Sequence, residues 1–221
     1  MIQKTAILIT FILTGLSICQ AQNKFRKELA VGANLGVNFS SVSFYPKVKT
    51  SMLMGYAGGL TVRWNTEANV GLQGELNLSQ QGWQEKFEEH PEYEYSRTIN
   101  YFEVPFLTHI YFGSKRVKVF VNLGPKVGFA LSEKTKENLH GDEEANITND
   151  QHNMPVEKKF DWGLCGGPGL EFRTGIGYFL LEGRYYYALG DIYNSRKKDV
   201  FSKSAGQVIS VKLTYLLPVI K

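Results

Sequence analysis

Apolar and polar residues alternate one by one along most of the chain from Leu29 onward, whereas helical spacing is scarce. In the first alternating run, apolar side chains share one face and Gly, Ala and Asn share the other. Eight such runs follow one another: LAVGANLGVNF, MGYAGGLTVRW, NVGLQGELNLSQ, NYFEVPFLTHIYF, VKVFVNLGPKVGFAL, FDWGLCGGPGLEF, YFLLEGRYYYAL and VISVKLTYLL. Each has roughly ten residues or more, which is the length that a tilted β-strand needs to cross a bilayer. The pattern therefore predicts eight strands.

The connections between the runs alternate in length. Three are tight, namely NTEA, GSKR and TGIG. Four are long, polar and charged: SSVSFYPKVKT, QEKFEEHPEYEYSR, SEKTKENLHGDEEANITNDQHNMPVEKK and GDIYNSRKKDVFSKSAG. Short turns at one end and long loops at the other are typical of outer-membrane barrels. We therefore predict an all-β fold, an eight-stranded antiparallel up-and-down transmembrane β-barrel with both termini in the periplasm.

A soluble β-sandwich or a lipocalin-like barrel also alternates, but it turns its apolar face inward. Here nearly every run has one continuously aliphatic or aromatic face. Such bulky side chains from eight strands would overfill a barrel whose interior only just accommodates side chains. Placing the Gly-, Asn- and charge-bearing face inside removes this conflict. Aromatic residues near the ends of the runs also fit the girdles of a membrane barrel, and they include Trp64, Phe112, Trp162, Phe172, Phe179 and Tyr215.

The first 21 residues differ from the rest of the chain. A short positive start precedes the apolar run AILITFILTGLSI, and small residues end at Ala21. This pattern predicts a cleaved signal peptide, residues 1–21, followed by one barrel domain, residues 22–221. A lipoprotein signal at Cys19 is the alternative, although Ile18 is bulky where that signal needs a small residue.

Charge and cysteine content limit the possible partners. Loss of residues 1–21 removes one lysine and no acid, so the formal net charge falls from +4 to +3. Lys and Arg are spread along the chain, whereas a nucleic-acid surface needs them clustered, so we expect no nucleic-acid partner. Cys165 is the single cysteine after the predicted cleavage site, which excludes an internal disulfide. The expected partners are outer-membrane lipid and lipopolysaccharide, together with other envelope proteins that contact the long loops.

Several motifs resemble those of the PorT-like, porin-like outer-membrane β-barrel family of Bacteroidetes. In chain order they are VGANLGVNFSSVSF, GLQGELNLSQQGW, YFEVPFL, VFVNLGPKVGF, GGPGLEF and LEGRYYYALGDI. The resemblance spans essentially the whole chain after the signal segment and implies a porin-like barrel of eight strands. One branch of the family is tied to type IX secretion and gliding motility, and the motifs here match the broad family.

Charged residues inside the runs point into the lumen if the apolar faces meet lipid. They are Arg63, Glu75, Glu103, Lys126, Glu171, Arg173, Glu182 and Arg184. Because buried charge is costly unless it is paired, we predict a structural network that fills the lumen. If Phe112 opposes Val117 across the GSKR turn, Glu103 faces Lys126 directly. Pro105 has no N–H and a closed barrel has no free edge, so we expect a local bulge or an unpaired carbonyl there.

Three functions fit these features: a structural or interaction barrel, an accessory barrel of a type IX secretion or gliding machine, and a small solute porin. Eight strands leave little open space, which disfavours the porin. Catalysis needs a nucleophile, a base and an orienting group, and no nucleophile motif accompanies His109, the one histidine inside a run. We therefore predict no enzyme, no cofactor and no metal site. Loop 132–159 is long and charged, so we expect it to be mobile. The loop aromatics are expected either to contact a partner or to rest on the barrel rim, and they include Phe44, Tyr45, Tyr93 and Tyr95.

Overall fold

A computed structural model describes residues 26–87, 91–138, 152, 154–196 and 199–220. The predicted signal peptide lies outside these residues. The strands are β1 (Glu28–Tyr45), β2 (Thr50–Ser51), β3 (Leu53–Asn65), β4 (Val70–Glu85), β5 (Glu94–Gly113), β6 (Val117–Asn138), β7 (Phe160–Arg173), β8 (Tyr178–Ala188) and β9 (Lys203–Ile220). In the described part of the chain, no helix is long and apolar enough to cross a membrane.

Eight long strands close into an antiparallel barrel in which each strand pairs with the next along the chain. β1 pairs with both β3 and β9, and the additional pairing of β4 with β5 completes the ring. The remaining strand, β2, consists of Thr50 and Ser51 and pairs with the end of β4. It lies just before Met52 and β3 in the chain, so it extends β3 along the same neighbour. The prediction of an eight-stranded up-and-down barrel is confirmed, with β2 as a short extension of one of the eight.

The connections divide the barrel into two ends. At one end, which we call the turn end, the described chain also begins and finishes, and the links are residues 66–69, 114–116 and 174–177. The Ser114 hydroxyl accepts a hydrogen bond from the Val117 N–H at 3.1 Å, and Thr174 Oγ1 donates to the Gly177 carbonyl at 2.7 Å. Side chain–backbone bonds of this kind stabilise tight turns. The other end, which we call the loop end, carries the links at residues 46–49, 86–93, 139–159 and 189–202, of which the last three are longer. The long loop predicted at SSVSFYPKVKT is wrong, because β1 continues to Tyr45.

The two faces of the wall differ in polarity as the alternation predicts. Outward-facing leucine, valine and phenylalanine side chains form a continuous apolar surface, with Leu35 72% and Leu123 60% exposed. Inward-facing side chains are buried, and many of them are charged. An apolar surface of this size is unfavourable in water and fits a lipid environment, because outer-membrane barrels carry such a band.

Aromatic residues lie at the turn-end border of this apolar surface. Trp64, Phe112 and Phe172 are exposed near the ends of β3, β5 and β7. Phe179 and Tyr215 pack against each other with ring centroids 5.0 Å apart, and the Tyr215 hydroxyl donates to the Ile176 carbonyl at 2.5 Å. Rings that combine an apolar body with a polar tip suit the boundary between lipid and water.

Pro105 interrupts strand pairing without changing the register. It pairs with Lys126 in the β5–β6 ladder, but the β4–β5 ladder has no partners for residues 75–76 on that side. Proline cannot donate a backbone hydrogen bond, so one ladder loses a link. Of the two alternatives predicted here, the bulge is wrong, because the register shift of β5 lies between Asn100 and Tyr101. The interrupted β4–β5 pairing agrees with the other alternative, an unpaired carbonyl.

Candidate functional site

The lumen near the turn end holds a chain of ion pairs and hydrogen bonds between four strands. Arg63 Nη1 lies 2.7 Å from Glu171 Oε2, and both side chains are fully buried. Arg173 Nε lies 2.5 Å from Glu171 Oε1, while Arg173 Nη1 lies 3.0 Å from Glu28 Oε2. The Tyr178 hydroxyl also donates to Glu28. These contacts connect β1, β3, β7 and β8 through the interior.

His109 lies in the same region and is fully buried. Its Nδ1 is 2.8 Å from Asn122 Oδ1, and its Nε2 is 3.4 Å from Arg63 Nη1. The imidazole packs between Tyr111 and Phe120, with ring centroids 5.2 and 5.0 Å away. Its polar neighbours are thus an amide and a guanidinium, neither of which is a nucleophile, so the contacts are those of a packed core histidine.

A second group of charges occupies the centre of the lumen around Glu75. Arg184 Nη2 and Nη1 lie 2.8 and 3.0 Å from its two carboxylate oxygens, and Lys212 Nζ lies 2.5 Å from Oε2. Arg184 also donates to both oxygens of Glu182 at 2.9 Å. Two acids and two bases therefore balance each other in a layer with almost no exposure to solvent.

A third group, nearer the loop end, contains the ion pair between Glu103 and Lys126. Gln81 Nε2 donates to the same carboxylate at 2.5 Å. The Lys126 ammonium lies 3.4 Å from the centre of the Tyr186 ring, and the Tyr186 hydroxyl donates to Asp161 Oδ2 at 2.6 Å. Each charged group in this part of the lumen therefore has a hydrogen-bond, ion-pair or cation–π partner inside the barrel.

The predicted direct opposition of Glu103 and Lys126 is wrong. Phe112 pairs with Val119 rather than Val117, and Lys126 pairs with Pro105, so the register is displaced by two residues. The turn sets this register: β5 continues through Gly113, which pairs with Lys118, and the Ser114 N–H donates to the Val117 carbonyl at 2.8 Å, so the reversal lies one residue later than the sequence places it. The ion pair forms diagonally, since both side chains still face the lumen.

All eight sequence-predicted charged residues lie on the inner side of the wall, but in three groups rather than one. Three further charged residues take part and were missed, namely Glu28, Asp161 and Lys212. Lys212 could have been found, because the alternation in VISVKLTYLL places it on the polar face. Glu28 precedes the first alternating run, so periodicity alone does not reveal its orientation.

Little space remains between these groups. Two cavities of about 20 Å³ each lie between described residues of the lumen, one lined by Ser40, Tyr101 and Asp161 and the other by Cys165 and Lys212 among others. Each is large enough for about one water molecule. In the described residues, no group of three or more His, Cys, Asp or Glu side chains is arranged to hold a metal ion.

A cap closes the lumen at the loop end, and we define it as Phe44, Trp83, Arg97, Tyr193 and Phe201. Its aromatic rings lie in mutual contact, with centroids 5.0 to 6.4 Å apart. Tyr193 and Phe201 come from the loop that joins β8 to β9, so this loop folds inward over the barrel. Burial raises the pKa of the Tyr193 hydroxyl above its usual range, which keeps the group protonated.

Arg97 anchors the cap to a second loop. It donates to the carbonyl of Met154, to the carbonyl of His152 at 3.3 Å and to the Tyr193 hydroxyl at 2.8 Å. The His152 imidazole in turn stacks on Tyr95 with ring centroids 3.8 Å apart. One buried guanidinium therefore ties the segment before β7 to the loop before β9.

The loop end corrects one expectation and, for three of the four named aromatics, agrees with one of two alternatives, a place on the barrel rim. The loop predicted to begin at Ser132 begins later, because β6 continues to Asn138, while residues 139–151 and 153 lie outside the described residues. Phe44, Tyr93 and Tyr95 are buried at the rim, whereas Tyr45 is 67% exposed. Aromatic side chains of the predicted loops thus contribute mainly to the rim.

A closed barrel with an apolar exterior and a paired, charged interior defines an integral membrane β-barrel protein. The chain belongs to the family described as outer membrane protein beta-barrel domain, whose model matches residues 20–194. It is therefore an integral outer-membrane protein.

Solved structures of several small outer-membrane proteins are similar to this chain. OprG from Pseudomonas aeruginosa is 13% identical with a TM-score of 0.49, over 86% of this chain and 95% of that one. Ail from Yersinia pestis, solved with the heparin analogue sucrose octasulfate, is 14% identical with a TM-score of 0.42, over 86% of this chain and 99% of that one. Neisserial surface protein A is 11% identical with a TM-score of 0.44, over the same shares. No curated protein matches the chain.

Proposed function

We propose that this protein is a non-enzymatic outer-membrane barrel that acts through its outer wall and its loops rather than by conducting solutes. The observation that carries the proposal is the filling of the lumen. Three groups of paired charges occupy its length, and the aromatic cap lies above them. An ion that crossed this interior would have to break contacts of 2.5 to 2.8 Å between buried groups, and a buried charge left without its partner is costly.

Conductance measurements test this proposal directly. We expect the purified protein to insert into planar bilayers and to remain electrically silent, while a known porin in the same set-up gives its usual steps. Steady, ion-selective steps from the pure protein would overturn the proposal, and a porin function would replace it.

The proposed orientation places the loop end at the cell surface and the turn end, with both termini, in the periplasm. It is supported by the general arrangement of outer-membrane barrels, which carry their long loops outside. Asn194→Cys and Ser114→Cys provide a matched pair, because the native Cys165 is buried and contributes little background. We expect a membrane-impermeant maleimide to label intact cells at position 194 and not at position 114. The reverse pattern would show that the orientation is wrong.

An interaction with other envelope proteins is the remaining part of the proposal. The resemblance to the PorT-like family of Bacteroidetes supports one partner class, the subunits of a type IX secretion or gliding machine. Mild solubilisation of native outer membranes, followed by affinity capture, tests this. Stoichiometric recovery of secretion subunits would assign the protein to that machine, whereas recovery of the barrel alone would favour a role in the outer membrane itself.

A further inference from the structure

A groove crosses the lipid-facing wall on its loop-end half. Its volume is about 530 Å³, which lies within the range of small-molecule sites. It runs obliquely across β1, β3, β4, β5 and β6, and four strand spacings make it about 19 Å long. Its lining residues are Leu35, Tyr56, Ala57, Gly58, Leu78, Ser79, Gln80, Asn100, Tyr101, Leu131 and Ser132.

The floor of the groove exists because one outward-facing position has no side chain. Gly58 pairs with Leu35 on one side and with Leu78 on the other. Both leucines point outward and are well exposed, and with no side chain at Gly58 only the end of the Leu35 side chain covers the strand between them. A Cβ at Gly58 would meet the end of the Leu35 side chain at 2.9 Å, and this flexible group can move.

Two irregularities of the sheet frame the same groove. The β3–β4 ladder ends at Ala57 and Ser79 and resumes only with β2. In the β5–β6 ladder the register shifts, which leaves Leu131 as an extra residue that is 56% exposed. Bulges commonly turn a side chain toward a new direction, and here the extra leucine forms the far wall.

Polarity changes along the groove from apolar to polar. The end toward the middle of the wall is formed by Leu35 and Leu78, and the end toward the loops by Gln80, Asn100 and Ser132. Asn100 Nδ2 donates to Ser132 Oγ at 2.9 Å on the exposed surface. The groove thus passes from an apolar end to a polar end along its length.

Basic residues stand next to the polar end. A neighbouring cleft of about 160 Å³ shares Leu131 and Ser132 with the groove and is lined by Lys159. Glu133 also lines this cleft, but its carboxylate accepts the Val156 N–H at 3.3 Å and lies 3.8 Å from Arg97. Lys134 follows two residues beyond Ser132, which is about 7 Å further along the strand. It is exposed and forms no ion pair with the described part of the chain.

We infer that this groove holds lipid A of lipopolysaccharide, with one acyl chain along the floor and a phosphate beside Lys159 and Lys134. Within a bilayer, lipid tails are as apolar as leucine, so a lasting contact depends on close packing and on polar contacts rather than on apolarity. The groove offers both, and the lysines complement a phosphate. The inference rests on the proposed orientation, which places the loop end in the leaflet that contains lipopolysaccharide.

Titration by native mass spectrometry tests the inference with the refolded, full-length mature protein in detergent micelles. The probes are bisphosphorylated lipid A, the same lipid without phosphates, and phosphatidylglycerol. We expect bisphosphorylated lipid A to bind at least about tenfold more tightly than either of the others. Equal binding of phosphatidylglycerol would overturn the assignment to lipid A, and equal binding of the dephosphorylated lipid would overturn the role of the lysines.

Two variants locate the binding. Gly58→Leu fills the floor and should weaken lipid A binding about tenfold. Gly183→Leu is the matched control, because Gly183 is also outward-facing and has open space around it, and it should bind as the wild type does. Equal loss in both variants, or no loss in Gly58→Leu, would overturn the inference.

The double variant Lys134→Glu, Lys159→Glu tests the phosphate contact separately from the packing of the acyl chain in the groove. This double variant should bind bisphosphorylated lipid A no better than the dephosphorylated form, and unchanged discrimination between the two would count against the site. The binding measurement does not depend on which end faces the cell surface. Labelling at position 114 would therefore overturn the orientation, whereas failed lipid A binding with labelling at position 194 would overturn the groove alone.

Discussion

Glu75 accepts hydrogen bonds from four side chains at the centre of the barrel. In addition to Arg184 and Lys212, Gln73 Nε2 and Asn77 Nδ2 each donate to it at 2.8 Å. Buried ion pairs add little net stability compared with apolar packing, but removal of one partner leaves an uncompensated charge. The central carboxylate is therefore the point at which a single substitution does most harm.

Glu75→Ala should destabilise the folded barrel by about 3–5 kcal/mol, because Arg184 and Lys212 would lose their shared partner. The free energy of unfolding in urea, measured in lipid vesicles by the heat-modifiable gel shift, checks this. Glu94→Ala is the control, since Glu94 pairs with Lys136 on the exposed surface and its loss should have no measurable effect. Similar unfolding curves for both variants would contradict the structural role of the network.

The Phe120 ring, rather than the backbone conformation, requires glycine at position 169. It pairs with Phe120, and a Cβ at this position would lie 2.2 Å from the phenyl ring. The ring covers the glycine on the inner face of the wall, and such close contacts leave no room for a methyl group.

Gly169→Ala should therefore cost about 1–3 kcal/mol through overpacking. Phe120→Leu in the same chain should restore part of this loss, because the smaller side chain vacates the space. A double-mutant cycle on unfolding free energies measures the coupling. Strict additivity of the two changes would show that the contact with Phe120 is not the cause.

Strands β5 and β6 are the longest elements, and they extend past the apolar belt at the loop end. They have 20 and 22 residues, whereas about 9–11 suffice to cross a bilayer. The extra length supports the cap, because Arg97 projects from the upper part of β5. The loops are therefore attached to a rigid extension of the barrel rather than to its rim alone.

Arg97→Ala should release the cap while leaving the barrel intact. The variant loses hydrogen bonds to two loop segments, so trypsin should cut at Lys158 and Arg196 several-fold faster than in the wild type. Limited proteolysis followed by mass spectrometry gives the cleavage rates, and the gel shift confirms that the barrel is folded. Arg116→Ala, at the turn end, is the matched control. Unchanged rates at both loop sites would show that Arg97 does not hold the cap.

The whole molecule is stabilised by lipid outside and by paired charge inside, which reverses the arrangement of a soluble barrel. The arrangement can be tested by placing the same charged side chain at two depths of the outer wall. Leu213 lies mid-strand on the outer face of β9, between Leu35 of β1 and Leu181 of β8, whereas Val219 lies near the turn end.

Leu213→Arg should destabilise the barrel in vesicles by about 2–4 kcal/mol, and Val219→Arg by about 0–1 kcal/mol, because the cost of a lipid-facing cation depends on its depth. Unfolding titrations in vesicles of one lipid composition compare the two directly. Equal costs, or no cost at position 213, would contradict a lipid-facing outer wall.

The sequence was sufficient for the number of long strands, their direction and the polarity of their faces. These properties follow from a side-chain period of two and from the lengths of the connections, which are local features. The eight charged lumen residues were identifiable for the same reason, since alternation alone assigns Glu103 or Arg184 to the inner face. Local features also misplaced one register by two residues, because β5 continues through Gly113, the first residue of the polar turn motif, and the reversal lies one residue later.

The partners of those charges could not be read from the chain, because they depend on barrel closure and on the stagger between strands. Lys212 meets Glu75 across 137 residues, and Arg63 meets Glu171 across 108. The inward fold of the loop that carries Tyr193 likewise depends on the buried guanidinium of Arg97 and on aromatic contacts from β1 and β4. The lipid-facing groove likewise depends on tertiary structure: a missing side chain at Gly58 becomes a groove only when pairing with β1 and β4 places Leu35 and Leu78 beside it, closure brings β5 alongside β4, and a bulge turns Leu131 outward.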